Sequence, residues 1–491
     1  MGKKGTQIPV KETYDENIEY LKQELRIGKN FDVIHRKLEY GGHRMSMFLV
    51  DGFASANLLL LIMKEIEKRK PEDYKDDPIK ELVKTFIPHV EVNTTTDLEE
   101  VIAQVLAGQT ALVVENGKQV IMIDSREYPI RSPQEPDIER VVRGPRDGFV
   151  ETIVFNLALI RRRVRDRSLV MEYVQVGKRS KTDIALVYID SIADMENVRM
   201  LREKLEDISI DGVSMGEKTI EEFVFGRNYN PYPLVRYTER ADTSSVHLME
   251  GHVLIVVDGS PSVMICPTTY WHHLQHAEEY RQKPIVGAFL RGARYIAVTA
   301  SLFLLPVWYT YATNEQLLSE RWKFIGVKDH GEIALIWQFL IAEVGIEILR
   351  MAAIHTPNAL ATALGIVSAI IIGDVAVQVG IFTHEVVLYV AVAAIGTFAT
   401  PSYELSIANR IFRIFFLLMV AMLEVPGLII GITLWILLLV ATKSMKIPYL
   451  YPFIPFNPLD FKLVMLRSPV PYVNMRGNML NPQDKTKQDN K

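Results

Sequence analysis

The chain has 491 residues, with 55 Lys and Arg against 59 Asp and Glu, for a formal net charge of −4. That length has room for two or three domains, and the near balance of charge excludes a globally basic nucleic-acid binder. The single cysteine, Cys266, excludes an intrachain disulfide framework and reads as a small buried hydrophobe.

The charge is unevenly spread: it crowds into residues 1–285, whereas 286–442 are mostly apolar. The opening residues lead into polar sequence with no apolar core behind them, so no secretory signal peptide is expected. The predicted fold class is therefore α+β/membrane, an N-terminal cytosolic tandem α/β domain followed by a multipass α-helical transmembrane bundle. A lead-in (1–39) precedes the first α/β subdomain (40–145), where Met47-Phe48-Leu49-Val50-Asp51 ends in a turn before an apolar helical run. A second subdomain (180–285) repeats the pattern at Leu186-Val187-Tyr188-Ile189-Asp190. Each Asp can bond the turn or cap the helix that follows. Downstream, Gly108-Gln109-Thr110-Ala111-Leu112-Val113-Val114 resembles Gly251-His252-Val253-Leu254-Ile255-Val256-Val257, each followed by a return strand. Both matches lie roughly 140 residues apart, which predicts a tandem duplication.

Between the copies, 146–179, an apolar helix ends in Arg161, Arg162, Arg163 and Arg165. These arginines are either solvated cations that complement the negative end of the helix or a membrane-surface basic edge on anionic headgroups. No enzyme is predicted. The stretch Gly212–Thr219 has a Glu where a phosphate-binding loop needs Lys, and His272, His273 and His276 lack a clear further metal ligand. No cofactor is expected.

Crossing hydrocarbon takes about 20 apolar residues in a helix. Four spans are read at about 292–313, 333–349, 359–380 and 386–400, with basic groups at 291–294, 350, 410–413 and 443–446 assigned to the cytosolic side. That assignment requires 411–442 to enter and return as a broken or re-entrant hairpin; one kinked helix is the rival. Pro401, Pro426 and Gly427 are the helix-break or gating candidates. Four acids stand inside the oily region: Glu343, Glu347, Asp374 and Glu424. Placing one at a helix centre costs about 2.5–3.5 kcal/mol, so each must face protein, water or a counter-charge. They are candidates for an ion path; Glu347 can instead pair with Arg350, three residues on. The tail, 443–491, is expected to be cytosolic, with a polar, disordered end from Asn478.

The stretch Arg143-Gly144-Pro145-Arg146-Asp147-Gly148-Phe149-Val150-Glu151, with Asn156-Leu157-Ala158-Leu159-Ile160-Arg161-Arg162-Arg163, resembles the signature of the A subunits of GerA-type spore germinant receptors. So do Ile372-Gly373-Asp374-Val375-Ala376 and Pro401-Ser402-Tyr403-Glu404-Leu405. Within that family the chain is most similar to the stage V sporulation protein AF branch, which is encoded with dipicolinic-acid channel components. The resemblance implies the inner membrane of bacterial endospores, with the N-terminal domain on the core side, and contact with membrane lipid. It implies a homo-oligomer, pentameric in the receptor A subunits, that forms a cation channel and amplifies ion release in germination. Its partners would be a second membrane subunit and germination receptor proteins. The rival functions are a non-conducting scaffold for receptors or dipicolinic-acid channel proteins, and a secondary transporter.

Overall fold

The computed structural model describes residues 7–74, 77–127, 139, 141–226, 229–317, 319–328, 331–355 and 375–488. The chain divides into two units: one from Met1–Arg227, Val235–Pro267 and Pro471–Lys491, the other from Asn228–Leu234 and Thr268–Val470.

In the first unit the chain makes α1 (Tyr14–Glu24), β1 (Val33–Tyr40), β2 (His43–Val50), α2 (Ala56–Glu67), β3 (Val92–Thr95), α3 (Leu98–Leu106), β4 (Thr110–Val114) and β5 (Val120–Ile123). It then makes α4 (Ile153–Arg163), β6 (Leu169–Val176), β7 (Thr182–Ile189), α5 (Met195–Glu206), α6 (Glu217–Phe225), β8 (Arg236–Thr238), α7 (Ala241–Glu250), β9 (Val253–Val257) and β10 (Val263–Cys266). The strands form two five-stranded antiparallel sheets with one topology, β1-β2-β4-β5-β3 and β6-β7-β9-β10-β8. The strands TALVV and VLIVV, apolar but for Thr110, sit at the centres, buried along their whole length. Such a strand needs cover on both faces. In the first sheet Ala111 and Val113 meet α1 and α3, while Leu112 and Val114 meet α2 and the turns after it. In the second, Leu254 and Val256 meet α4 and α7.

Three expectations need correction. The first sheet starts at Val33 and the second at Leu169, ahead of boundaries drawn at 40 and 180. Both opening strands sit at a sheet edge; β1 carries His35, Lys37 and Glu39 along one face, and Glu172 and Gln175 interrupt the apolar run of β6. The helix read as a connector is α4, which packs in the core of the second copy as α1 does in the first. The basic run, finally, is not one exposed edge. Arg161 is fully buried and grips Asp32 through two bonds of 2.8 and 3.0 Å. Arg163 pairs with Asp147 at 2.6 Å, and of the four only Arg162 and Arg165 are exposed. Arg161 also donates to the carbonyl of Leu169, and Asn30 bonds Leu169 and Met171. Together with the Arg26–Asp190 pair at 2.6 Å, these contacts join the two copies through charge.

The tail also departs from expectation, because it is folded through residue 488. Leu480 is buried, Gln483 bonds the backbone of Asp190, Ile192 and Ala193, and Arg476 bonds the carbonyl of Met249. Its polar side chains complete backbone groups at the ends of the second copy, so a polar composition does not mean disorder here.

The second unit holds α8 (Pro284–Thr313), α9 (Leu335–His355), α10 (His384–Phe398), α11 (Tyr403–Ala441) and α12 (Pro458–Met465). Among the described residues, α8 and α11 are long and apolar enough to cross a membrane. Helices α8 and α10 approach so closely that a Cβ on Gly396 would lie 2.2 Å from the carbonyl oxygen of Ala297.

Helix α11 is a hairpin. Glu424 has φ 51° and ψ −130°, where the chain reverses into arms 403–423 and 425–441. In a straight helix Phe416 and Gly431 would be about 22 Å apart, yet a Cβ on Gly431 would lie 3.1 Å from the Phe416 ring. A Cβ on Gly427 would fall 1.9 Å from the Met419 carbonyl oxygen, so only glycine lets the arms meet there. Pro426 lies in the first turn of the second arm, where a missing N–H costs nothing. Pro401 stands ahead of the first arm, whose N-cap Ser402 accepts from the amide of Leu405.

A charged junction among four helices

Helix α9 is mostly apolar and carries the acids Glu343 and Glu347 and the base Arg350, which the 3.6-residue period places on one face. That face meets Arg410 and Arg413 on the first arm of α11. Glu343 is almost wholly buried and accepts from Arg413 Nη2 at 2.7 Å, with Arg410 Nε at 3.6 Å. Glu347 pairs with both Arg350 and Arg410. Arg350 also lies over the Tyr403 ring, 4.8 Å from its centroid. Arg413 reaches two more helices, donating to the Ser301 carbonyl of α8 at 2.5 Å and to Thr397 Oγ1 of α10 at 3.3 Å. One guanidinium thus touches α8, α9 and α10 from α11.

Three guanidinium groups face two carboxylates, so the junction carries a net positive charge among the described residues. Breaking one partner out of a buried pair costs about 3–5 kcal/mol, because the other charge is left uncompensated. Glu343 Oε1, Arg410 Nη2 and Arg413 Nε are buried with no hydrogen-bond partner among the described residues. Each such atom is costly unless water or an ion reaches it.

Of the four acids singled out in the sequence, the structure brings Glu343 and Glu347 together. Glu424 is exposed at the hairpin turn rather than inside a helix, and Asp374 lies outside the described residues, with most of the third span. Arg410 and Arg413 were read as cytosolic markers, and Arg291 and Arg294 likewise. In the structure Arg410 and Arg413 are buried partners of acids, and Arg291 and Arg294 both pair with the buried Glu279. The available signal was two acids four apart on one apolar helix and two arginines three apart on another, which is the spacing of facing rows. His272 Nδ1 accepts from the Thr269 amide, His273 bonds Thr268, and His276 caps the helical turn Ala277–Arg281.

The chain matches, over residues 19–479, the family model described as Bacillus/Clostridium GerA spore germination protein. It is 44% identical over 472 residues to stage V sporulation protein AF of Bacillus subtilis (strain 168), covering 96% of each chain. Spore germination protein GerLA of Bacillus cereus is 31% identical over 416 residues, 83% of each chain. Among solved structures, the N-terminal domain of the A subunit of the Bacillus megaterium spore germinant receptor GerK3 superposes with a TM-score of 0.41 at 24% identity, over 54% of this chain and 98% of that one.

Proposed function

This chain belongs to the GerA spore germination family, and from that premise we propose that it is a multipass protein of the endospore inner membrane that forms, or helps form, an ion-conducting oligomer. The observation that carries this reading is the buried charged junction with its unsatisfied atoms. Carboxylates and guanidiniums in apolar helices are expensive, and pairing offsets only part of that cost. Glu343 Oε1, Arg410 Nη2 and Arg413 Nε, unpartnered among the described residues, call for a polar visitor, which a water-filled path through the bundle would supply. With the arginines bound to the acids the path is closed; opening it separates Glu343 from Arg413. Asp374 would add a third carboxylate to the path. Repeated subunits would set these groups in rings, and the tandem α/β domain would serve as the collar that assembles them. The apolar exterior of the helices, including Phe289, Ile296, Leu388 and Ile395, is the lipid face. Partners are receptor subunits and dipicolinic-acid channel proteins on the same membrane.

Ion flux through the purified protein in liposomes tests the proposal. Glu343→Gln and Asp374→Asn should each cut monovalent-cation flux about tenfold or more. Unchanged flux would remove these residues from the path. Flux equal to that of empty liposomes, from correctly assembled oligomers, would instead favour a non-conducting scaffold. The double pairing of Glu347 with Arg350 and Arg410 supports that second reading, because it gives this acid a purely structural use.

A further inference from the structure

Residues 229–234 lie in the chain between α6 and β8 and belong to the helical unit. What they touch there is the base of the hairpin, and they touch both of its arms. The Tyr232 hydroxyl donates to Asn409 Oδ1 on the first arm at 3.2 Å and accepts from Trp435 Nε1 on the second at 2.5 Å. Its ring stacks on Phe412, with centroids 5.4 Å apart. Asn230 Nδ2 donates to Thr442 Oγ1, just past the second arm, at 2.7 Å. The Leu234 carbonyl accepts from Ser444 at 2.7 Å and from Thr268 at 2.9 Å, and Ser444 Oγ also accepts from the Thr268 amide at 3.1 Å. Leu234 lies two residues ahead of β8, and Thr268 two residues beyond β10. These strands are hydrogen-bonded neighbours, with Arg236 opposite Ile265. The chain enters β8 and leaves β10 at one end of the sheet, and both points are tied to the exit of the hairpin.

We infer that residues 229–234 are a coupling wedge: a segment of the helical unit, continuous in the chain with β8, that holds the two hairpin arms together at their base, so that a shift of β8 changes the spacing of the arms. The chemistry suits the task. Tyr232 is nearly fully buried and its one hydroxyl is shared between the arms, so separating them breaks a hydrogen bond in a poorly hydrated place. A loop covalently continuous with a strand cannot be displaced without moving that strand. The wedge acts whether or not the helices conduct, so its test reads hydrogen exchange rather than flux.

The full-length protein in lipid nanodiscs is followed by hydrogen exchange at peptides from 403–412, from 432–442 and from β9. Tyr232→Ala should speed exchange in both hairpin peptides by about tenfold and leave β9 unchanged. Should β9 loosen too, Tyr232→Phe decides, because it keeps the ring on Phe412 and removes only the shared hydroxyl: faster exchange in both arms supports the wedge, and no change in either overturns it. The coupling itself is tested from the other side. Glu139 bonds Arg236 and Thr238 in β8, so Glu139→Gln loosens that strand without touching the helical unit. It should raise exchange at 432–442, and the rise should vanish when Tyr232→Phe is already present. A hairpin indifferent to Glu139→Gln, or equally responsive in both backgrounds, would refute the coupling.

Discussion

The two α/β copies share one strand order yet close differently at one end of the sheet. In the first copy the chain entering β3 and the chain leaving β5 bond each other: His89 Nε2 meets the Asp124 carbonyl at 2.8 Å, and the Asp124 amide donates to Glu91 at 3.0 Å. In the second copy the equivalent points, before β8 and after β10, are where residues pass into the helical unit. A duplicated fold can thus keep its core and divide its work by changing only what leaves one end. The first copy closes on itself at that end, and in the second the chain continues into the helical unit. The centres stay alike: Gly108 and Gly251 both end a helix with positive φ, 102° and 105°, and both lead into an all-buried strand.

The joint between the copies should be the most sensitive point. Arg161→Met leaves Asp32 buried without its partner, and should cost about 3–5 kcal/mol, read as a lower urea midpoint of the full-length protein. Acid should come next, and it should act through the second copy. His252 stands where the first copy has Gln109, and burial, reinforced by Arg236, pushes its pKa down to about 3. The unfolded chain binds a proton near the ordinary histidine value while the folded chain does not. Stability is therefore fully present above about pH 6.5 and falls as pH drops toward 3, by up to about 4 kcal/mol. His252→Gln should flatten that slope in pH-dependent melts. A smaller effect is expected where the first copy closes: His89→Ala should cost about 1 kcal/mol and speed exchange in β3 while sparing 432–442. Smallest is the matched pair of helix caps. Asp97 and Asp194 each accept an amide two residues on, so either change to Ala should lower the melting temperature by the equivalent of about 1 kcal/mol. Asp97 also accepts from the Ile8 amide and should be the costlier of the two.

The sheet centres were legible because strands covered on both faces read as near-continuous apolar runs, as Ala111–Val114 and Val253–Val257 do. The edge strands β1 and β6 were not: His35, Lys37 and Glu39 line one face of β1, and Glu172 and Gln175 interrupt the apolar run of β6. Val425-Pro426-Gly427 marked the hairpin, but the reversal falls at Glu424, whose backbone conformation costs about 1–3 kcal/mol and has no sequence signature. Glu343 and Glu347 were visible as acids in an oily helix. Their partners were not, because Arg410 and Arg413 lie more than sixty residues downstream in the chain and look like interfacial cations when read alone. Arg161 misled for the same reason: its partner, Asp32, belongs to a segment 129 positions earlier.

The folded tail has a topological consequence. Residues 471–488 return to the same unit as the first 226, so the polypeptide departs from one compact body and comes back to it. In the membrane placement proposed above, a path that leaves and rejoins this body on one side of the bilayer traverses it an even number of times. The reversal at Glu424 fits that proposed parity, since two antiparallel arms add either two passages or none, whereas one continuous rod would add a single one.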